Sequence, residues 1–511
     1  MQTNYYAVID IGSNTMRLVI YSRENSGRLH EVENVKAVAR LRYYLDDKGY
    51  LSDEGIHKMI SILQAFKEVT NIYTLKDLSC VATATIRQAK NNKVIQRNVK
   101  KYIGWNVRIL SEREEAFYGY LAVVNSTSLT EGITVDIGGG STEVTYFKDR
   151  MIQHSHSFPF GALNLKQFFS DGPKEHNLKQ LRDFLKEQFS TLDWLNNREV
   201  PLIGIGGSAR NMAQIDQQMK HYPLAGLHQY KMNDAEIIKI LHQLLPLSIE
   251  ELEKVDGLSN DRVDTIVPAI AVFHCLYETI DADHFILSRK GLRDGIYYEK
   301  LAKDSKHYFI PNVLEDSIQE LIHEYKLNPY RIEYIQFLSK KLFNAWKEKG
   351  IGQLSNQDWQ MLERACYVYN MGEYIDSESS AQHTFYLLAN RTIDGLLHLD
   401  RLKLALLASF KSKNTFKQFI HPFEDWFLKE EKEKLILLGA LLKFTYCMDA
   451  TKRQVVEDLD LEVKEEEVTL IIYCNKDYRP EEYQLWKQKK HVEKAIHKRI
   501  NLKFIQWKNK S

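Results

Sequence analysis

Two stretches of the chain share one alternation of apolar and polar positions. Tyr5–Ser22 reads YYAVIDIGSNTMRLVIYS and Ile133–Phe147 reads ITVDIGGGSTEVTYF. In each, a run rich in β-branched and aromatic residues ends on Asp-Ile-Gly, passes through small polar residues, and resumes as a second run. That pattern predicts two β-hairpins closed by glycine-containing turns. Asp10 and Asp136 stand 126 residues apart, about the length of a domain. The echo therefore predicts two duplicated domains facing each other, not a solenoid, whose repeats run ~20–50 residues.

Helical and strand periods alternate around the hairpins. Helices are predicted over 52–70, behind a Ser52/Asp53 cap, over 91–102, and over 112–124, behind Ser111; strands are predicted over 78–84 and 106–110. After the second hairpin come a helix over 178–192, a strand over 200–205, and a loop Gly204–Ser208 opening a helix through Ala213. Helices over 234–245 and 263–276 follow, then a strand, loop and helix in HFILSRKGLRDGIYYEKLA. Such alternation means an α/β pair of domains. Past Lys303 the pattern changes. DSKHYFIP reads as a linker, and 312–448 as almost wholly helical. Strands Glu467–Tyr473 and Lys503–Trp507 around a basic helix Glu481–Arg499 read as a small α+β end domain. The expected domains are 1–126, 127–303, 308–448 and 449–511.

Composition narrows the class. A chain of 511 residues exceeds what one core supports, and 44% apolar with 27% charged residues excludes a disordered or fibrous chain. The net charge of +1 gives no reason to expect nucleic acid or membrane partners. The balance hides an asymmetry: residues 476–511 hold eleven Lys/Arg against four Asp/Glu. Five cysteines without C-x-x-C spacing argue against a disulfide framework and a thiolate metal site. The first residues reach Asp10 before any signal-peptide-like run, and no apolar stretch approaches the ~18 residues of a membrane span. A cytoplasmic protein is expected.

The candidate chemistry sits at the hairpin tips. Asp10-Ile-Gly12-Ser13-Asn14 and Asp136-Ile-Gly138-Gly139-Gly140-Ser141 each place a carboxylate at a strand end before a turn where backbone N–H groups converge on an anion. Glu143, just past the second turn, adds another hard oxygen. Mg²⁺ favours such sites, shared between one or two carboxylates and substrate phosphates. A single Gly-Ser-Asn tip is more often merely a turn; two copies with the acid at one offset favour phosphate. Gly206-Gly207-Ser208, between a strand and a helix, is a third candidate phosphate loop. The chain lacks G-x-x-x-x-G-K-[ST] and is not a P-loop protein.

The runs DIGSNTMRLVI, ATATIRQAKN, SEREEAFYGY, VDIGGGSTEV, GIGGSARNMA and LSRKGLRDGIYYE, in this order, resemble the exopolyphosphatase/guanosine pentaphosphate phosphohydrolase family, within the acetate kinase/sugar kinase/heat-shock chaperone/actin superfamily. The resemblance implies two ribonuclease H-like (actin-like) domains facing a cleft, then a helical HD-like domain and a small C-terminal domain. It implies Glu115 as catalytic base, and Arg40 and Arg87 as phosphate-binding residues. It adds Asp136 and Glu143 as Mg²⁺ ligands with Asp10 opposite, and Ser13, Asn14, Ser141 and the turn glycines as phosphate donors. Lys290 and Arg293 would add positive charge, although solvated residues at a helix start are an equal reading. A monovalent cation such as K⁺ is a further candidate cofactor, and a homodimer is implied. The implied substrate is polyphosphate, with guanosine pentaphosphate (pppGpp) or its tetraphosphate (ppGpp) as the alternative ligand. Of other classes, a kinase needs an acceptor-activating Asp that has no counterpart here, and a non-enzymatic polyphosphate or alarmone sensor would bind without turnover. In the HD-like region the metal pair is replaced by Val368-Tyr369-Asn370-Met371-Gly372, leaving His383 alone, so no metal is expected there. The basic helix bearing Lys487, Lys489, Lys490, Lys494, Lys498 and Arg499 reads as a solvated face or as a path for a polyanion.

Overall fold

A computed structural model describes residues 4–23, 29–169, 172–305 and 308–506. The chain divides into two compact units, Met1–Tyr222 with Leu227–Val313, and Pro223–Gly226 with Leu314–Ser511. The first unit has two lobes, each built on one sheet. Strands β1 (Asn4–Ile11), β2 (Thr15–Arg23), β3 (Leu29–Val38), β4 (Leu75–Ala82) and β5 (Val107–Ile109) form a sheet ordered β3-β2-β1-β4-β5. Strands β6 (Gly132–Ile137), β7 (Thr142–Lys148), β8 (Met151–Phe158), β9 (Leu202–Ile205), β10 (Lys231–Met232) and β11 (Phe285–Leu287) form the other, ordered β10-β11-β9-β6-β7-β8. The duplication predicted from two hairpins extends to topology. In both sheets the hairpin and its third strand are antiparallel, and the next two strands are parallel.

The tips close alike. Gly12 N–H donates to Thr15 O (3.1 Å) and Gly138 N–H to Ser141 O (2.9 Å). The helix Asp53–Thr70 begins where the cap predicted, with Ser52 Oγ accepting from Gly55 N–H at 3.2 Å. Helix Glu112–Val124 begins in a capping box: Ser111 Oγ accepts from Glu114 N–H, and the Glu114 carboxylate accepts from Ser111 N–H at 2.8 Å.

The lobes exchange their closing helices. Helix 112–124, the last element before β6, packs against β6, β7 and β8 of the second sheet. Helix Leu292–Ser305, the last element of the second repeat, packs on β1 and on helix 112–124. Ile296 and Tyr297 sit in one cluster with Tyr6, Val8, Val19 and Tyr21 of the first sheet. Tyr297 meets the Tyr6 ring edge-on at 5.5 Å, and Tyr118 O–H donates to Glu299 at 3.1 Å. The helices cross at Gly295, where an added Cβ would fall 2.0 Å from Tyr118 O.

Several predicted bounds move. The strand over 78–84 is Leu75–Ala82, the helix over 178–192 is Lys174–Ser190, and the helix over 263–276 is Ile266–Ile280. Gly204–Ser208 is not a loop: β9 runs straight into helix Gly206–Met219, with Gly206 at φ +85° making the bend. Strands β3 and β8 escaped the pattern because they are polar sheet edges, with many exposed positions.

The second unit, described by itself, carries successive helices including Pro329–Glu348, Asn356–Val368, Ser380–Asn390, His398–Ala408 and Lys429–Cys447. A sheet of β12 (Val456–Val463), β13 (Glu467–Cys474) and β14 (Arg499–Gln506) ends it, with helix Arg479–Ile496 crossing between the parallel β13 and β14. β12, rich in Asp and Glu, was not legible as a strand. The basic helix stops at Ile496 because His497 turns left-handed (φ 55°), which leaves Lys498 and Arg499 outside it. Of the predicted linker, Lys306 and His307 lie outside the described residues, as does Trp507 of the last predicted strand.

Candidate active site

Both hairpin tips line one cleft in the first unit. They touch at its base: an added Cβ on Gly139 would lie 3.0 Å from Ser13 Cβ. The walls bring together Asp10, Gly12, Ser13, Asn14, Asp136, Gly138, Gly139, Ser141, Glu143, Gly206, Gly207 and Glu115.

Register makes the two hairpins chemically different. Side chains opposite each other in an antiparallel pair share a face. Asp10 is paired with Arg17, whereas Asp136 is paired with Glu143. The first tip is thus acid against guanidinium, and the second acid against acid. Asp10 Oδ2 also accepts from Arg293 Nη1 at 3.1 Å. Burial pushes the Asp10 carboxyl up, with Arg293 and Arg17 pulling it back. Asp136 rises to about 6, through burial and then the Asp10 charge. Glu143 rises to about 7 through burial, opposed first by a hydrogen bond from Ser141; Ser157 Oγ also donates to it at 3.0 Å. Among the described residues no three His, Cys, Asp or Glu side chains form a metal cage. The Asp136/Glu143 pair with Asp10 opposite fits a cation that keeps waters and takes its other oxygens from phosphate.

The adjacent glutamates of helix 112–124 have different fates. Glu114 is consumed by the capping box and by Arg108. Glu115, one residue on, turns into the cleft and is bound by Arg87. Burial holds its carboxyl well above the ordinary range, Glu143 adds to that, and Arg87 pulls it down. Arg87 is fixed in turn by donating from Nη1 to Leu110 O at 2.9 Å.

Four expected phosphate contacts stand apart from the cleft lining. Arg40 takes a left-handed backbone (φ 48°), and its N–H ties down Asn14 O at 2.8 Å. Ser208 is buried, its Oγ accepting from Arg262 Nη1 at 3.0 Å. Gly140 packs beside Ala84 and Ser13. Arg87 likewise spends its guanidinium on Glu115. Of the pair Lys290 and Arg293, Arg293 lines the cleft, while Lys290 lies 3.6 Å from Asp294.

The positive charge comes mostly from residues the sequence did not single out: Arg17, Arg210, Arg262 and Arg289 join Arg293 in the lining. Hairpin register was the signal for Arg17, and Arg210 lies one helical turn past Gly206. Arg289 lies in the run LSRKGLRDGIYYE without being singled out there, and Arg262 carried no sequence signal. Burial brings Arg210 down to about 10, and its four arginine neighbours reinforce this. Arg210 Nε and Asn14 Oδ1 are buried without a hydrogen-bond partner, the condition of a surface built to receive a ligand. At Gly206 an added Cβ would fall 2.5 Å from Asp136 Oδ1, so only glycine lets the helix start approach the carboxylate.

Duplicated α/β lobes with acid-tipped hairpins meeting in one cleft define an actin-like protein of the phosphoryl-transfer class. The sequence profile of the Ppx/GppA phosphatase family matches residues 19–304, and that of its domain III matches 313–493. This chain belongs to the Ppx/GppA phosphatase family, whose members are phosphoanhydride hydrolases. It is 24% identical over 484 residues to a guanosine-5'-triphosphate,3'-diphosphate pyrophosphatase of Aeromonas hydrophila, covering 91% of this chain and 92% of that protein. The Ppx/GppA crystal structure from Aquifex aeolicus is 27% identical at a TM-score of 0.53, over 59% of this chain and 99% of that one. An exopolyphosphatase structure from Cytophaga hutchinsonii, 21% identical, shares the fold at a TM-score of 0.54, over 60% of this chain and all of that one. Among the described residues no helix is long and apolar enough to cross a membrane.

Proposed function

We propose that this protein is an exopolyphosphatase, releasing terminal orthophosphate from inorganic polyphosphate. The observation that carries this is the cleft lining: five arginines line it together with Glu115, and the apolar remainder is aliphatic, with no aromatic ring to stack a base. In this reading, Glu115 orients a water and accepts its proton as the oxygen attacks the terminal phosphorus. The anhydride P–O bond breaks, and the chain leaves one unit shorter, its charge balanced by the arginines. Arg87 keeps Glu115 ionised and aimed. Ser13, Asn14, Ser141 and the backbone of Gly12, Gly138, Gly139, Gly206 and Gly207 hold phosphate oxygens. Asp136 and Glu143, with Asp10 facing them, would hold Mg²⁺, which when bound offsets charge on the transferred group. A homodimer in a reducing cytoplasm belongs to the same reading, and the five free cysteines support the compartment.

Purified protein with Mg²⁺ and long-chain polyphosphate is expected to release orthophosphate. Glu115→Gln is expected to lower kcat by about 10²-fold or more while leaving polyphosphate binding in place. Full activity in that variant overturns the base assignment. Hydrolysis of pppGpp is the second reading, favoured by the Aeromonas relative, which matches over most of both chains. Comparing kcat/KM for the two substrates in one assay, with K⁺ and with Na⁺, decides between them.

A further inference from the structure

A pocket in the helical unit has no part in the proposed chemistry. Five tyrosines line it, four of them in two pairs, together with Arg331 and Glu373. Tyr325 and Tyr374 meet edge to face at 5.4 Å and 83°, while Tyr369 and Tyr446 are tilted by 56° at 4.7 Å. Lys326 and Lys452 also line it, both exposed and neither ion-paired among the described residues. Each lysine holds a left-handed backbone (φ 50° and 58°), a conformation that the Cβ of any L-residue disfavours.

Polar partners stiffen the wall, one of them, Arg331, itself part of the lining. Arg331 lies 4.0 Å over the Tyr446 ring centroid, donates from Nη1 to the Tyr446 hydroxyl at 2.7 Å, and from Nε to Asp449 Oδ2 at 3.2 Å. Tyr369 O–H donates to Phe410 O at 3.1 Å, and Tyr325 Oη accepts from Arg391 Nη1 at 3.1 Å. Three of these rings, Tyr325, Tyr369 and Tyr446, are therefore held in place before any ligand arrives. Aromatic cages without nearby lysines suit organic cations. Here the lining carboxylate, Glu373, already accepts from the Asn370 amide, so Lys326, Lys452 and Arg331 leave the lining net positive; that favours an anionic ligand over a cationic one, and the rings favour a planar one. The segment the resemblance would give to a metal pair contributes Tyr369, Asn370 and Met371 to this pocket.

We infer that this pocket binds a nucleotide, its base stacked against the tyrosines and its phosphates met by Lys326 and Lys452. The inference goes beyond the hydrolase reading and does not depend on it. The test is calorimetric titration of the full chain with guanosine diphosphate, adenosine diphosphate and inorganic pyrophosphate. At least one nucleotide is expected to bind. Tyr374→Ala and Lys452→Ala should each weaken that binding about tenfold or more, the range for loss of one base–aromatic stack or phosphate contact. Both residues are exposed, so neither truncation opens a core cavity. Arg210→Ala, in the catalytic cleft, should leave the affinity within about twofold. The inference is overturned if no nucleotide binds, if pyrophosphate alone binds as well, or if only Arg210→Ala removes binding.

Discussion

Glu115 and Glu114 are adjacent glutamates with opposite fates, and the difference is set by helix geometry. The third residue past the Ser111 cap is committed to the cap; the fourth projects about a hundred degrees further round, into the cleft. That the Glu115 side chain is only 12% exposed and bound by Arg87 was not legible, because burial of a polar side chain depends on what packs over it. The pairing has a testable sign. Arg87 lowers the Glu115 carboxyl, so Arg87→Ala should raise it further and leave less of it ionised at any given pH. The acid limb of the kcat profile for phosphate release should move to higher pH; an unmoved limb would mean that Arg87 acts on substrate instead. Lys443 offers a second test, of stability. Partial burial brings its ammonium from 10.5 down to about 8. Below pH 8 the ammonium is charged in both states and the native state alone bears the cost of burying it; between pH 8 and 10.5 the unfolded chain binds the extra proton, so stability rises with pH there. Lys443→Met should therefore stabilise the protein at pH 7 by about 1 kcal/mol after solvent screening, and the gain in Tm should shrink toward pH 10.

Elements were read best where local rules decide them. Helices 53–70 and 112–124 start at their caps because the capping hydrogen bonds are local. Strands β3, β8 and β12 were missed because an edge strand's polar sequence becomes a strand only through its neighbour. The decisive contact between elements is the crossing of helices 292–305 and 112–124 at Gly295. Gly295→Ala would drive a methyl into the Tyr118 carbonyl. Overpacking of this kind costs about 1–3 kcal/mol, and here it would also displace the helix that carries Glu115. Chemical denaturation should show that loss, and kcat should fall more than the remaining folded fraction explains. If activity merely tracks the folded fraction, the crossing supports the fold without setting Glu115.

For the molecule as a whole, a net charge of +1 conceals a cleft that gathers five arginines beside four carboxylates. Arg17, Arg210, Arg262, Arg289 and Arg293 reach it from five separate places in the chain's fold. Polyanion binding there should weaken steeply with salt as condensed counterions are released. KM for polyphosphate is expected to climb steeply between 50 and 200 mM salt (roughly that range by analogy with nucleic acids) while kcat changes little. A flat KM would mean that the arginines do not meet the substrate. The amino-acid sequence by itself determined the duplicated hairpins, the acid at each tip, the caps, and the change to helices after the second lobe, since all of these follow from periodicity and from hydrogen bonds a few residues apart. Only the tertiary structure decided that the closing helices trade lobes, that Arg87 serves a carboxylate, and which arginines share the cleft. Those outcomes depend on contacts between residues far apart in the chain, and no local pattern encodes which buried surface a helix will cover.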